Sequence, residues 1–93
     1  MLTRQVPTPA DIGRVVRALR KDAGLRQFEL AGAAGLGLRF IVDLEAGKPT
    51  AQIGKVLQVL DVLGCSVDIV PPPGPRFVPL SESPSKSRDV PPK

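Results

Sequence analysis

Arg39, Asp43, Gln27 and Lys48 are the side chains in this sequence whose types and spacing suit recognition chemistry. Arg39 carries a planar fork of donors that matches the two acceptors on the major-groove edge of guanine. Asp43, four residues on, is an acceptor. It suits a cytosine amino group, or it orients the Arg39 fork. Leu38 and Phe40 bracket Arg39 and suit thymine methyl groups. Val42 shares the stretch, and Gly37 stands at its head. Gln27, upstream of the stretch, is placed to bind phosphate and to buttress the readers, and Lys48, beyond it, suits a backbone phosphate. The candidate nucleic-acid contacts are therefore Gln27, Gly37, Leu38, Arg39, Phe40, Val42, Asp43 and Lys48.

Such a set is useful only on a slender element that enters a groove. Residues 25–48, LRQFELAGAAGLGLRFIVDLEAGK, supply one. Leu25, Leu30, Ala31 and Ala34 share one helical face, and Ile41 and Leu44 begin another. A helix over 27–34 is predicted to stop at Gly35, which adopts a left-handed backbone without a Cβ clash. Leu36 is the apolar anchor of the turn. A second helix runs over about 38–46 and ends at Gly47, and Lys48-Pro49 forbids its continuation. Two short helices joined by a tight turn fit the DNA major groove.

The flanking sequence frames this pair. Thr8-Pro9 is a strong helix start, and Asp11 adds a carboxylate at the positive helix end. Ile12, Val15, Val16 and Leu19 keep a helical rhythm to Gly24. Arg14, Arg17, Arg20 and Lys21 recur at three- and four-residue steps and read as a solvated basic ridge. Thr50 is placed to cap a fourth helix over 51–63, with a stripe of Ile53, Val56, Leu57, Leu60 and Leu63. Val59, Val62 and Leu63 widen that stripe sideways, more than one subunit needs. Residues 65–70, CSVDIV, alternate as a strand, and a lone strand leaves its backbone groups unpaired. Antiparallel pairing with a second copy resolves this. The expected dimer contacts are Val59, Val62, Leu63, Cys65, Val67 and Ile69.

From Pro71 the chain holds eight of its eleven prolines. Residues 71–93 are expected to form an extended, disordered tail, with one apolar cluster at Arg76–Leu80. Residues 8–70 are then the single folded domain. A domain this small is marginal alone, and self-association is the remaining remedy. One cysteine and no histidine exclude an internal disulfide and a Cys/His zinc site. No cofactor is expected.

Composition narrows the function classes. The net charge is +4, but residues 9–70 hold eight basic and seven acidic side chains. Bulk charge therefore does not argue for DNA; only placement does. Catalysis is poorly supported. Histidine is absent, Cys65 faces an apolar side, and Glu45 has no partner at acid–base spacing. GLGLRF is not a phosphate-binding P-loop. No apolar run approaches the ~18 residues that span a bilayer. One unpaired thiol fits a reducing compartment, and the cytoplasm is the expected location.

The stretch 25–48 resembles the helix-turn-helix of the phage Cro/repressor (XRE) superfamily through Gln27, Glu29-Leu30-Ala31, Ala34-Gly35, Ile41, Leu44-Glu45 and Gly47-Lys48. The run RFIVDLEAGKPTAQIGKVLQVLDVLG with its following strand resembles HipB-type antitoxins. The resemblance covers about residues 9–70. It implies a mainly α fold of four to five helices, with one C-terminal strand pairing across a homodimer. It also implies repression of the chain's own operon through double-stranded operator DNA, and binding of a HipA-type Ser/Thr kinase toxin. Some positions depart from that pattern. Gly37 stands where a serine or threonine cap is frequent, Arg26 replaces a small hydroxyl residue before Gln27, and Leu38 and Phe40 replace polar readers. A stand-alone repressor, or an interaction module that holds a partner inactive, are the other readings.

Overall fold

The computed structural model describes residues 5–74. Four helices follow in order: α1 (Pro9–Asp22), α2 (Gln27–Ala34), α3 (Leu38–Glu45) and α4 (Ile53–Val62). The four expected helices are present, with small shifts at their ends. Thr8 caps α1: its hydroxyl accepts from the Asp11 N–H, and the Asp11 carboxylate accepts from the Thr8 N–H. This reciprocal box satisfies two donors that a helix start otherwise leaves open. Gly35, at φ +71°, ends α2, and the Leu36 N–H then donates to the Ala31 carbonyl. Thr50 does not cap α4. That helix begins at Ile53 behind Gln52, which makes no side-chain capping bond.

The helices bury one core. Val16 of α1, Leu30, Ala31 and Ala34 of α2, Ile41 and Leu44 of α3, and Val56, Val59 and Leu60 of α4 are all buried. Leu36 and Phe40 pack against this cluster from its edge. α3 contacts both α1 and α2, and α4 covers α2. The α1–α3 contact is unusually close. A Cβ on Gly13 would collide with the Leu44 carbonyl oxygen and crowd that of Glu45. Gly47, at φ +87°, likewise runs against the backbone of Ala10. Two glycines thus seat the end of α3 against α1.

The phase of α4 differs from the sequence expectation. Val59 is fully buried in the chain's own core, so it is not a dimer contact. Ile53 and Leu57, expected in the core stripe, are instead 69% and 45% exposed. The buried arc is centred on Val56, Val59, Leu60 and Leu63, rotated from the expected one. Leu63 and Cys65 are half-buried against the same core, whereas Val62, Val67 and Ile69 are exposed.

The strand expected over 65–70 is not formed. These residues run without regular secondary structure, as do residues 71 and 72. A strand exists by its ladder, and the described residues supply no second strand. The apolar cluster at 76–80 and most of the expected disordered tail lie outside the described residues.

The cap of α1 carries a pH dependence. Hydrogen bonds from the Thr8 hydroxyl and then from Arg14 hold the Asp11 carboxyl below its ordinary value of 3.8. A lowered folded pKa means the contribution is complete above the ordinary value and lost as pH falls through the folded one. Unfolding followed by circular dichroism should show stability falling below about pH 4. Asp11→Asn should remove part of that acid-dependent loss.

Candidate DNA-binding site

The recognition geometry begins at a buried ion pair. Arg20, in the last turn of α1, sends Nε to Glu45 Oε2 at 2.6 Å and Nη2 to Glu45 Oε1 at 3.0 Å. Its Nη1 donates to the Leu25 carbonyl at 2.7 Å, in the α1–α2 connection. Gln27, the first residue of α2, donates to the same Glu45 Oε1 at 3.2 Å. The Arg20 and Glu45 side chains are 10% and 5% exposed. The bidentate bond to Glu45 raises the already high pKa of Arg20, outweighing the opposing effect of burial. One guanidinium therefore joins three elements: the end of α1, the entry to α2 and the end of α3.

This arrangement corrects one sequence expectation, the place of Arg20, and gives Gln27 a partner in α3. Arg20 does not belong to the solvated ridge; it is among the buried residues. Gln27 is half-buried and committed to Glu45, so its amide buttresses α3 from inside. The signal was present in the spacing. Gly13, Val16 and Arg20 fall on one face of α1, and Ile41 and Glu45 on one face of α3. A long arginine on a buried face calls for a carboxylate on the facing helix.

The opposite face of α3 is open. Leu38, Arg39, Asp43 and Ala46 cluster on that side with Val42. Leu38 and Arg39 are exposed, and Val42 and Asp43 are half-buried. The Arg39 side chain is 81% exposed, with its Nε 3.4 Å from Asp43 Oδ1. Lys48 Nζ lies 3.6 Å from the other oxygen of Asp43. Asp43 thus sits between two cations and orients both. Phe40 points elsewhere: its ring packs on the core edge beside α4, with Lys55 Nζ 5.9 Å from its centroid. Phe40 is therefore a packing residue first, because its position on α3 turns its ring to the core edge and not to the open side. Gly37 is exposed and heads α3 without a side-chain cap. At the head of α2, Glu29 accepts from the Arg26 N–H at 2.7 Å, so the turn is capped without a hydroxyl residue.

Two packed helices joined by a three-residue turn, with the open face of the second carrying an arginine fork, define a DNA-binding helix-turn-helix protein. The comparisons agree. The chain belongs to the helix-turn-helix domain family, whose model matches residues 11–70. It is 70% identical over 71 residues to an uncharacterized HTH-type transcriptional regulator, y4mF, of Sinorhizobium fredii, covering 76% of this chain and 93% of that one. Its fold is that of HipB. It matches HipB in a complex with an O4 20mer at a TM-score of 0.68 and 19% identity, over 74% of this chain and 97% of the other. A HipA-HipB-O2-O3 complex gives the same TM-score, identity and coverage. The family is one of DNA-binding regulators and not of enzymes. Among the described residues no helix is long and apolar enough to cross a membrane, and no cluster of His, Cys, Asp or Glu is arranged to hold a metal.

The ion pair is testable as a unit. Glu45→Gln leaves a buried guanidinium without its counter-charge and should cost about 3–5 kcal/mol in denaturant unfolding. Replacing both partners, as Arg20→Met with Glu45→Leu, should recover most of that loss. Equal losses in the single and double variants would mean that the pair does not act as a coupled unit.

Proposed function

We propose that this chain is a dimeric operator-binding repressor that acts as the antitoxin of a HipBA-like type II toxin–antitoxin system. On this reading residues 8–70 are the DNA-binding and dimerisation domain. α3 enters the major groove with Arg39 as the base reader, Leu38 and Val42 against apolar base edges, and Asp43 fixing the fork. Lys48 meets the backbone, and the head of α2 lies against the phosphates beside Gln27. The observation that carries the reading is the open face of α3, held at a fixed angle by the Arg20–Glu45 pair, with a single arginine fork at its centre.

Dimerisation is supported by apolar surface that one chain leaves uncovered. Ile53, Leu57 and Val62 on α4, and Val67, Ile69 and Val70 beyond it, are all exposed. Residues 65–70 also leave their backbone groups without a ladder. A two-fold axis beside this segment lets each copy complete the other's strand and covers the flank of α4. Leu63 and Cys65 lie at the edge of that contact. The antitoxin role is supported by the fold shared with HipB, which occurs in a HipA-HipB-O2-O3 complex. On that basis the partner is a HipA-type Ser/Thr kinase toxin, and the regulated DNA is the chain's own operon.

The test uses the duplex upstream of the chain's own reading frame, against a random duplex of equal length. A dimer making ~6 phosphate contacts should lose affinity steeply as salt rises. Arg39→Ala should cost about 1–3 kcal/mol of discrimination at one base pair per half-site. No preference for the upstream duplex and a flat salt response would refute DNA regulation. The dimer is checked separately by sedimentation: wild type should be a dimer at micromolar concentration, and Ile69→Asp a monomer with intact helices.

A further inference from the structure

We propose that Lys55 is a second-flank phosphate contact, and that Phe40 is the residue that positions it. The proposal rests on the DNA-binding reading above and goes beyond it by assigning both residues.

The geometry follows from the helix repeat of about 100° per residue. The open face of α3 runs from Leu38 through Val42 and Arg39 to Asp43. Next to Leu38 on the helix circumference comes Glu45, which faces Arg20 and Gln27. Next to Asp43 comes Phe40, which packs on the core edge with its ring beside Lys55 of α4. The reading face therefore has two flanks, and a helix lying in a major groove has a phosphate strand beyond each. The head of α2 occupies the first flank. Lys55, in the first turn of α4, occupies the second.

The disposition of Lys55 is specific. Its Nζ lies over the Phe40 ring at 5.9 Å from the centroid. Among the described residues it has no carboxylate within ion-pair distance. Lys48, by contrast, already leans on Asp43, as Arg39 does. A cation held over an aromatic face keeps its charge and most of its donors free. The ring thus restrains a long flexible side chain without neutralising it, which lowers the entropy lost when the ammonium meets a phosphate. This also gives a role to an aromatic residue in the recognition helix that does not point toward the bases.

The experiment measures binding to the upstream duplex across a salt series. Lys55→Gln should reduce the slope of log affinity against log salt by about 0.9 per bound protomer, with base preference unchanged. Lys55→Arg should restore the slope. Phe40→Leu keeps the packing apolar and removes the ring. It should weaken binding about two- to fivefold in the wild-type background and have no effect in the Lys55→Gln background. An unchanged slope in Lys55→Gln, or an equal loss from Phe40→Leu in both backgrounds, would overturn the assignment. A steep wild-type slope beside either result leaves the DNA reading intact and removes Lys55 alone. A wild type with no upstream preference and no slope removes both.

Discussion

The Arg20–Glu45 pair ties the end of α1, the entry to α2 and the end of α3 to one another. Glu45 is the last residue of α3, so a constraint on it sets where that helix ends and how it is rotated. The guanidinium also binds the Leu25 carbonyl, and Glu45 also binds Gln27. The entry to α2 is therefore fixed to the same two side chains. The net stabilisation from a buried pair is small, because desolvation offsets most of the attraction. Its effect is geometric. With both partners desolvated and in fork-to-fork contact, other orientations of α3 leave a charge buried without its partner. Gly13 and Gly47 complete the constraint, since a side chain at either would separate α1 from the end of α3.

The rest of the domain is thin by comparison. Its core is built from small and medium residues, and among the described residues no aromatic is fully inside. α4 adds Val56, Val59 and Leu60 to that core but leaves Ile53 and Leu57 outside it. The exposed residues continue through Val67 and Ile69 into a segment without regular structure. A partner that binds the folded chain and not the unfolded one raises stability by mass action. A marginal core and a surplus apolar flank are thus the two features that the proposed second copy would answer together.

The sequence was legible wherever a residue type has one physical use. Thr8 with Asp11, Gly35 at a left-handed position and the apolar faces of α1, α2 and α3 each allow few interpretations, and the helices appear where they place them. Legibility failed where a side chain has two uses. Arg20 shares three- and four-residue steps with Arg14, Arg17 and Lys21, so it reads as part of a ridge. Its spacing from Gly13 and Val16 is the signal that puts it inside. α4 is apolar on several sides, so periodicity alone leaves its phase open; contact with α2 decides it, and Val59 goes inward. Phe40 follows Arg39, but one residue is about 100° of rotation, enough to turn it away from the open face and toward the core edge. Tertiary neighbours, not local pattern, resolved all three.

The distribution of charge bears on how such a surface selects its DNA. The folded region is nearly neutral, and one of its cations, Arg20, is withdrawn into the interior. On the open face of α3 Asp43 stands between Arg39 and Lys48, so the centre of the surface has little net positive charge. An acidic group there weakens attraction to any duplex. It also penalises sequences that fail to engage Arg39, because the carboxylate then approaches base acceptors and phosphates with nothing in return. Positive charge serves affinity best where it meets phosphate and not bases. That places useful cations on the flanks of α3, not at its centre. On the proposed reading, the same separation lets a domain with a net charge near zero support recognition: one oriented fork discriminates, and a few peripheral ammonium groups attract.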